Sequence, residues 1–235
     1  VIARPGRRSH KTHDTHALLL RRVDYGESDL VLTLFTESLG RISALARGAR
    51  RSRRRFGGVL EPMHTLGIRV KESVGASLFT LEEARLEVLR NELTRELSRM
   101  DAAGRALSWV RQVAPARTPE PEAWHVLAAL LNELDRPETT PRRALALAGL
   151  RLLAAFGWGL DLSRCVSCGK PCPDGRSASV DVTRGGVVCR SCGGAPRLLK
   201  GPTRQRLLSE ALTDADVDAA LELTEAAFRI HAGIE

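Results

Sequence analysis

Ala17-Leu-Leu-Leu-Arg-Arg-Val-Asp-Tyr-Gly-Glu-Ser-Asp-Leu-Val-Leu-Thr-Leu-Phe35 decides the fold of the first third of this chain. Two apolar runs rich in strand formers, Ala17 to Val23 and Asp29 to Phe35, flank Asp24-Tyr-Gly-Glu-Ser28, which is turn chemistry. Glu37-Ser-Leu-Gly40 turns again, and Arg41-Ile-Ser-Ala-Leu-Ala46 supplies a third strand. Further on, Thr65-Leu-Gly-Ile-Arg-Val-Lys71 alternates with the period of two expected of a half-exposed strand, and Ser77-Leu-Phe-Thr-Leu81 closes the set. Five short strands joined by glycine-rich turns, with no helical stretch between them, predict a small barrel. The five-stranded oligonucleotide-binding (OB) barrel is the natural candidate, and an SH3-like half-barrel shares the pattern.

Between the third and fourth strands lies Arg47-Gly-Ala-Arg-Arg-Ser-Arg-Arg-Arg55. It supplies six of the chain's 36 basic residues against a net charge of +8 over 235 residues, so most of the excess charge is one local patch. Guanidinium groups are planar, permanently charged and matched to phosphate oxygens. Arg47, Arg50, Arg51, Arg53, Arg54 and Arg55 are therefore candidate nucleic-acid-binding residues. Asp24, Glu27 and Asp29 crowd one turn and read as solvated acids.

Residues 1–14, basic and without apolar periodicity, are expected to form a mobile arm, and His10, His13 and His16 to be exposed. Val1-Ile-Ala-Arg is too short an apolar start for a signal peptide, and no apolar run reaches the roughly 18 residues of a membrane span.

From Glu82 the pattern turns helical: Leu86, Leu89, Leu93, Leu97 and Met100 recur every three or four residues, with a second helix expected after a break near Gly104. Trp124, Leu127, Leu131 and Leu134 form the next stripe, and Arg142 to Phe156 reads as a helix buried on most sides. The Trp and Met residues of this region are expected in the core. Pro202 to Leu212 is a short helix, and Thr213-Asp-Ala-Asp216 resembles a capping box opening the last one.

Cys165-Val-Ser-Cys168 and Cys189-Arg-Ser-Cys192 have the spacing of a four-thiolate zinc site. Two residues between thiolates let both sulfurs reach one centre from a tight turn, and Gly169 and Gly193 permit those turns. Ser179 to Val182 and Gly186 to Val188 read as the strands of a zinc ribbon. Cys172 is an alternative ligand but is expected to be free. Four thiolates leave no open position for water, so one structural zinc is expected and metal catalysis is not. No P-loop lysine motif and no paired-carboxylate nuclease arrangement is present. His64 reads as structural.

Leu18-Leu-Leu-Arg-Arg-Val-Asp-Tyr-Gly-Glu-Ser-Asp29, Leu34-Phe-Thr-Glu-Ser-Leu-Gly40, Ala46-Arg-Gly-Ala-Arg-Arg51 and Leu60-Glu-Pro62 together resemble the bacterial recombination mediator family RecO. The resemblance covers nearly the whole chain. It implies an α+β multidomain protein: basic arm plus OB-fold barrel over 1–83, a helical domain over 84–160, an inserted zinc-binding module over 161–197, and C-terminal helices packing on the helical domain over 198–235. It implies a non-enzymatic role in DNA repair, cytoplasmic and nucleoid-associated. Single- and double-stranded DNA, RecR and single-stranded-DNA-binding protein are the implied partners, RecA an indirect one, with strand annealing as the implied activity. Without that resemblance, a zinc-stabilised module contacting an acidic protein would be the alternative. With few aromatics in the barrel, binding is expected to be phosphate-driven, with a log–log salt slope on duplex of roughly −4 to −5.

Overall fold

The computed structural model describes residues 10–52, 55–73 and 75–233. The chain divides into two compact units, one comprising the residues up to Asn91 with Ala114–Trp124, the other Glu92–Val113 with the residues from His125 onward.

The first unit is a closed five-stranded barrel of order β1-β2-β3-β5-β4. Its strands are β1 (His10–Tyr25), β2 (Asp29–Thr36), β3 (Gly40–Ala46), β4 (Thr65–Ser73) and β5 (Phe79–Val88). Only the β3–β5 contact is parallel; all other pairings are antiparallel, which is the OB connectivity. Alternation drives closure: β3 buries every second residue, and Leu19, Leu32, Leu34, Ala44, Leu66 and Val70 meet in one apolar core. β1 serves two neighbours, pairing β4 over His10–Leu18 and β2 over Ala17–Tyr25, with a bulge between Leu19 and Arg21.

Two expectations are corrected here. His10 to Asp14 are not part of a mobile arm; they are strand, hydrogen-bonded in register to Arg69–Ser73, while residues 1–9 lie outside the described residues. The helix expected from Glu82 is also wrong. β5 continues to Val88 because β4 runs alongside it, Leu66 facing Leu86 and Thr65 facing Val88, with the register shifting at two bulges. Of the expected stripe only Leu93 is buried; Leu86 on β5, Leu89 just after it, and Leu97 and Met100 on the helix that follows are exposed. The barrel therefore extends past residue 83.

Ala114–Trp124 belongs to the barrel unit and lies along β3. Arg117 N donates to Arg41 O at 2.9 Å, and Arg41 Nε to Ala114 O at 2.6 Å. Gly40 is required twice over: its φ is +66°, and a Cβ there would sit 1.8 Å from Thr118 O. His64, as read, is structural: its Nδ1 accepts from Arg90 N at 3.1 Å. Arg90, 1% exposed, spends its guanidinium on Met63 O and Thr65 Oγ1.

The second unit packs α1 (Leu97–Val113), α2 (Pro121–Leu134), α3 (Pro141–Ala155), α4 (Gly201–Leu208) and α5 (Asp214–His231) with a four-stranded sheet. The first four residues of α2 lie in the barrel unit. α1 is continuous through Gly104, where a break was expected. Trp109 is buried and stacks on Phe228 of α5 at 5.1 Å between ring centroids. Arg99, also buried, closes the end of α2 by donating to the carbonyls of Leu134, Arg136 and Pro137. The Thr213–Asp216 capping box is present as read.

Candidate nucleic-acid interface and candidate metal centre

The arginine segment is tied down at both ends. After β3, Gly48 N donates to Asp29 Oδ1 at 2.7 Å and Arg50 N to Ser28 O at 3.0 Å, so its start rests on the β1–β2 turn. At its far end Phe56 enters the core, and Arg55 O accepts Ala84 N at 3.2 Å. The Arg55 guanidinium folds back, bonding Arg47 O at 2.7 Å and lying 5.1 Å from the Phe56 ring centre. Arg47, Arg50, Arg51 and Arg55 are all exposed, whereas Arg53 and Arg54 lie outside the described residues.

The turn acids have a role the sequence reading missed. Arg50 lies 3.5 Å from Asp24, and Arg51 3.6 Å from Glu27. These pairs are exposed, so each is worth only a few tenths of a kcal/mol to about 1 kcal/mol. The turn thus holds two guanidiniums in place and partly neutralises them. A hollow beside the segment is lined by Arg22 and Arg50, their partners Glu61 and Asp24, and the apolar Phe56 and Leu60. A groove elsewhere on the barrel mixes Asp14, Glu37 and Glu83 with Arg69 and Arg85. There Asp14 raises the pKa of Arg69 and Glu87 that of Arg85, each cation held by its own carboxylate. Such a groove has no surplus positive charge to offer a polyanion.

In the second unit, β6 (Asp161–Cys165), β7 (Ala178–Asp181), β8 (Gly186–Val187) and β9 (Arg197–Leu199) form a sheet of order β6-β8-β7-β9. The ribbon strands fall where the sequence placed them; β6 and β9, which widen the ribbon, were not anticipated. Cys165 ends β6, and Cys192 ends the one-turn 3-10 helix Arg190–Cys192. Gly169 at φ +72° and Gly193 at φ +98° make the turns after each pair. The Sγ atoms of Cys165, Cys168, Cys189 and Cys192 all lie within 4.8 Å of one another. Sulfurs about 2.3 Å from a common tetrahedral ion would be about 3.8 Å apart, and Cys168 and Cys189 have their sulfurs 3.8 Å apart. Cys172 stands outside this cluster and ties in through its backbone, N to Ser163 O at 2.8 Å.

The donor set suits a divalent cation electrostatically. Backbone N–H groups of Cys189, Ser167 and Cys168 aimed at its sulfur bring the Cys165 thiol down to about 5. Hydrogen bonding to the Cys189 and Cys168 sulfurs pushes Cys192 up to about 12. One thiolate forms readily and the last resists; a cation among the four removes that resistance. Arg204, fully buried, staples the lobe by donating to Leu162 O, Pro173 O, Arg176 O and Cys172 O.

No described helix is long and apolar enough to cross a membrane. The family model "Recombination protein O N terminal" matches residues 10–90, and "Recombination protein O C terminal" matches residues 95–235. A DNA repair protein RecO of Anaeromyxobacter sp. (strain K) is 40% identical over 185 residues, 77% of this chain and 71% of that protein. The namesake from Geobacter metallireducens is 32% identical over 209 residues, 88% of this chain and 83% of that protein. That of Myxococcus xanthus is 35% identical over 181 residues, covering 77% and 72%.

Proposed function

Since the chain belongs to the RecO family, whose members serve DNA repair and recombination, we propose that it binds single- and double-stranded DNA through the arginine segment and anneals complementary strands. The observation that carries this reading is the exposed guanidinium group set of Arg47, Arg50, Arg51 and Arg55, seated on the β1–β2 turn of an OB-type barrel. Its contacts are to phosphate, so duplex and single strands both bind, without sequence preference. Annealing follows from holding two polyanions against one cationic surface, which lowers their repulsion and raises their local concentration. In this role the protein acts with RecR and single-stranded-DNA-binding protein to load RecA, without catalysing a reaction of its own, in the bacterial cytoplasm at the nucleoid.

Four to six arginines of the segment each neutralising one phosphate give a log–log salt slope on duplex of roughly −4 to −5. Arg50→Ala with Arg51→Ala should weaken both DNA forms about 10- to 100-fold at low salt and reduce the slope by about 2. Anisotropy titrations across a salt series, with an annealing assay in parallel, measure this. Unchanged DNA affinity in the double variant would transfer the arginines to another partner, an acidic protein surface first among them.

The paired acids sharpen the test. Phosphates must displace Asp24 and Glu27 from Arg50 and Arg51. Asp24→Asn with Glu27→Gln is therefore expected to tighten DNA binding about 2- to 10-fold at low salt, the gain vanishing as salt rises. Weaker binding by that variant would mean the acids order the arginines more than they mask them.

The cysteine cluster is assigned one structural zinc, held by Cys165, Cys168, Cys189 and Cys192. The fit of the sulfur spacing to a tetrahedron and the all-thiolate donor set support zinc, whose site would then be closed to water.

A further inference from the structure

The aromatic rings of the barrel unit divide sharply among the described residues. Phe35, Phe56, Phe79 and Trp124 are buried at 0, 1, 3 and 8% exposure, whereas Tyr25, the chain's single tyrosine, is 59% exposed. No other ring and no guanidinium lies against it among the described residues. Val23, two residues earlier and so on the same strand face, is 44% exposed and extends an apolar edge beside it.

Position makes this exposure informative. Tyr25 is the last residue of β1 and pairs across the turn with Asp29. Opposed residues in an antiparallel pair have Cβ atoms about 5 Å apart. Asp29 is the residue whose carboxylate holds Gly48 N at 2.7 Å, and Ser28 O holds Arg50 N at 3.0 Å. The flanking Asp24 and Glu27 pair with Arg50 and Arg51. The ring therefore sits in the same turn that supports the arginines, in the first of the loops through which OB barrels engage oligonucleotides. Asp24, the residue before Tyr25, pairs with Arg50, so the ring and that guanidinium flank the same turn.

We propose that Tyr25 is a stacking platform for one unpaired base, which gives the arginine interface its preference for single strands over duplex. The proposal rests on the DNA-binding reading above. Arginine–phosphate contacts are blind to strandedness, since both forms present phosphates. A ring face is not blind to it: a base in a duplex has both faces covered by its neighbours, and an unpaired base does not. Stacking of one base on an aromatic side chain changes affinity about 5- to 100-fold and needs the ring, not the hydroxyl.

The test compares Tyr25→Ala, Tyr25→Phe and Tyr25→Trp with Arg50→Ala/Arg51→Ala in the full-length protein, using oligo-thymidine and a duplex as probes, at low and raised salt. Tyr25→Ala should lose about 5- to 100-fold in oligo-thymidine affinity, most visibly where salt has suppressed the phosphate contribution, with duplex affinity unchanged. Tyr25→Phe and Tyr25→Trp should retain single-strand affinity, and the added indole of the Y25W variant should be quenched by oligo-thymidine but not by duplex. Should Tyr25→Ala weaken both probes equally, or neither while the arginine variant weakens both, stacking is overturned and the phosphate reading stands. If the wild-type protein binds neither probe at low salt, both fall together. Thermal melting of each variant verifies that the barrel is intact.

Discussion

Replacing Cys165 and Cys168 by Ser is expected to remove one equivalent of zinc per chain and to unfold the lobe between Asp161 and Leu199, leaving the barrel folded. The lobe's own apolar content is small: apart from Cys165 and Ala178, its buried apolar side chains are Leu162, Val180, Val182, Val187, Val188 and Leu199. Its strands run only two to five residues, at or below the usual strand length. A four-thiolate zinc contributes about 10–16 kcal/mol in small zinc-dependent folds, far more than such a core can supply. Arg204 ties Leu162 O, Arg176 O and Pro173 O together, but a few hydrogen bonds at about 1–3 kcal/mol each are worth less than the ion. Elemental analysis combined with hydrogen exchange measures the result. Amides of Val180 and Val187 should lose protection in the variant or under strong chelation, while those of Leu32 and Val70 in the barrel should not. A metal-free lobe that stays protected would contradict a structural ion.

The second large effect lies at Asp216. This carboxylate is fully buried and accepts hydrogen bonds from Arg206 Nε at 2.6 Å and Nη2 at 2.8 Å and from Thr213 N at 3.0 Å and Oγ1 at 2.6 Å, with the Thr203 side chain also bonded to it. It joins α4 to the N-terminus of α5 and closes the capping box. Asp216→Ala removes the cap and leaves Arg206 unpaired. A fully buried broken pair costs about 3–5 kcal/mol; Arg206 can still reach water, so about 3 kcal/mol is expected with the cap included. For a protein of this size that lowers the midpoint of thermal unfolding by about 6–12 °C. The pH dependence follows from the same contacts. Arg206 and Thr213 hold the carboxyl far below the usual range, outweighing the upward push of burial. A depressed folded-state pKa stabilises fully above the unfolded value near 3.9 and loses that contribution as pH falls below it. Stability of the wild type should therefore be flat in this respect between pH 7 and 5 and decline steeply below about 4. Asp216→Ala should flatten that acid limb. An acid limb identical in variant and wild type would assign acid unfolding to other groups.

Much of this architecture was legible because a few local signals carry unambiguous geometry. Alternation in Asp29–Thr36 and Gly40–Ala46 marks strands with one buried face, and the two Cys-x-x-Cys pairs with their following glycines mark four sulfurs that can meet. What failed was partner-dependent. His10–Asp14 is polar on both faces, so no periodicity betrays a strand whose stability comes from hydrogen bonds to Arg69–Ser73. Leucines at 86, 89, 93 and 97 have helical spacing, yet β4 captures the first of them in a sheet and Leu97 is left 80% exposed. Buried Arg90, Arg99 and Arg204 carry no sequence signature, since their acceptors are mainly backbone carbonyls brought close by folding.

By itself, then, the chain's order of residues determined the alternating strands β2 and β3, the helices α2, α3 and α5, the charge of the segment after β3, and the four thiols able to share an ion. These are properties of local pattern and composition, readable at short range. Tertiary structure alone decided that Asp24 and Glu27 meet Arg50 and Arg51, that Tyr25 is left in solvent while Phe56 is buried, and that Arg204 closes the cysteine lobe. Each joins residues brought together by strand pairing or helix packing. Coulomb attraction, burial and hydrogen bonding act on distance in space, which sequence separation does not encode.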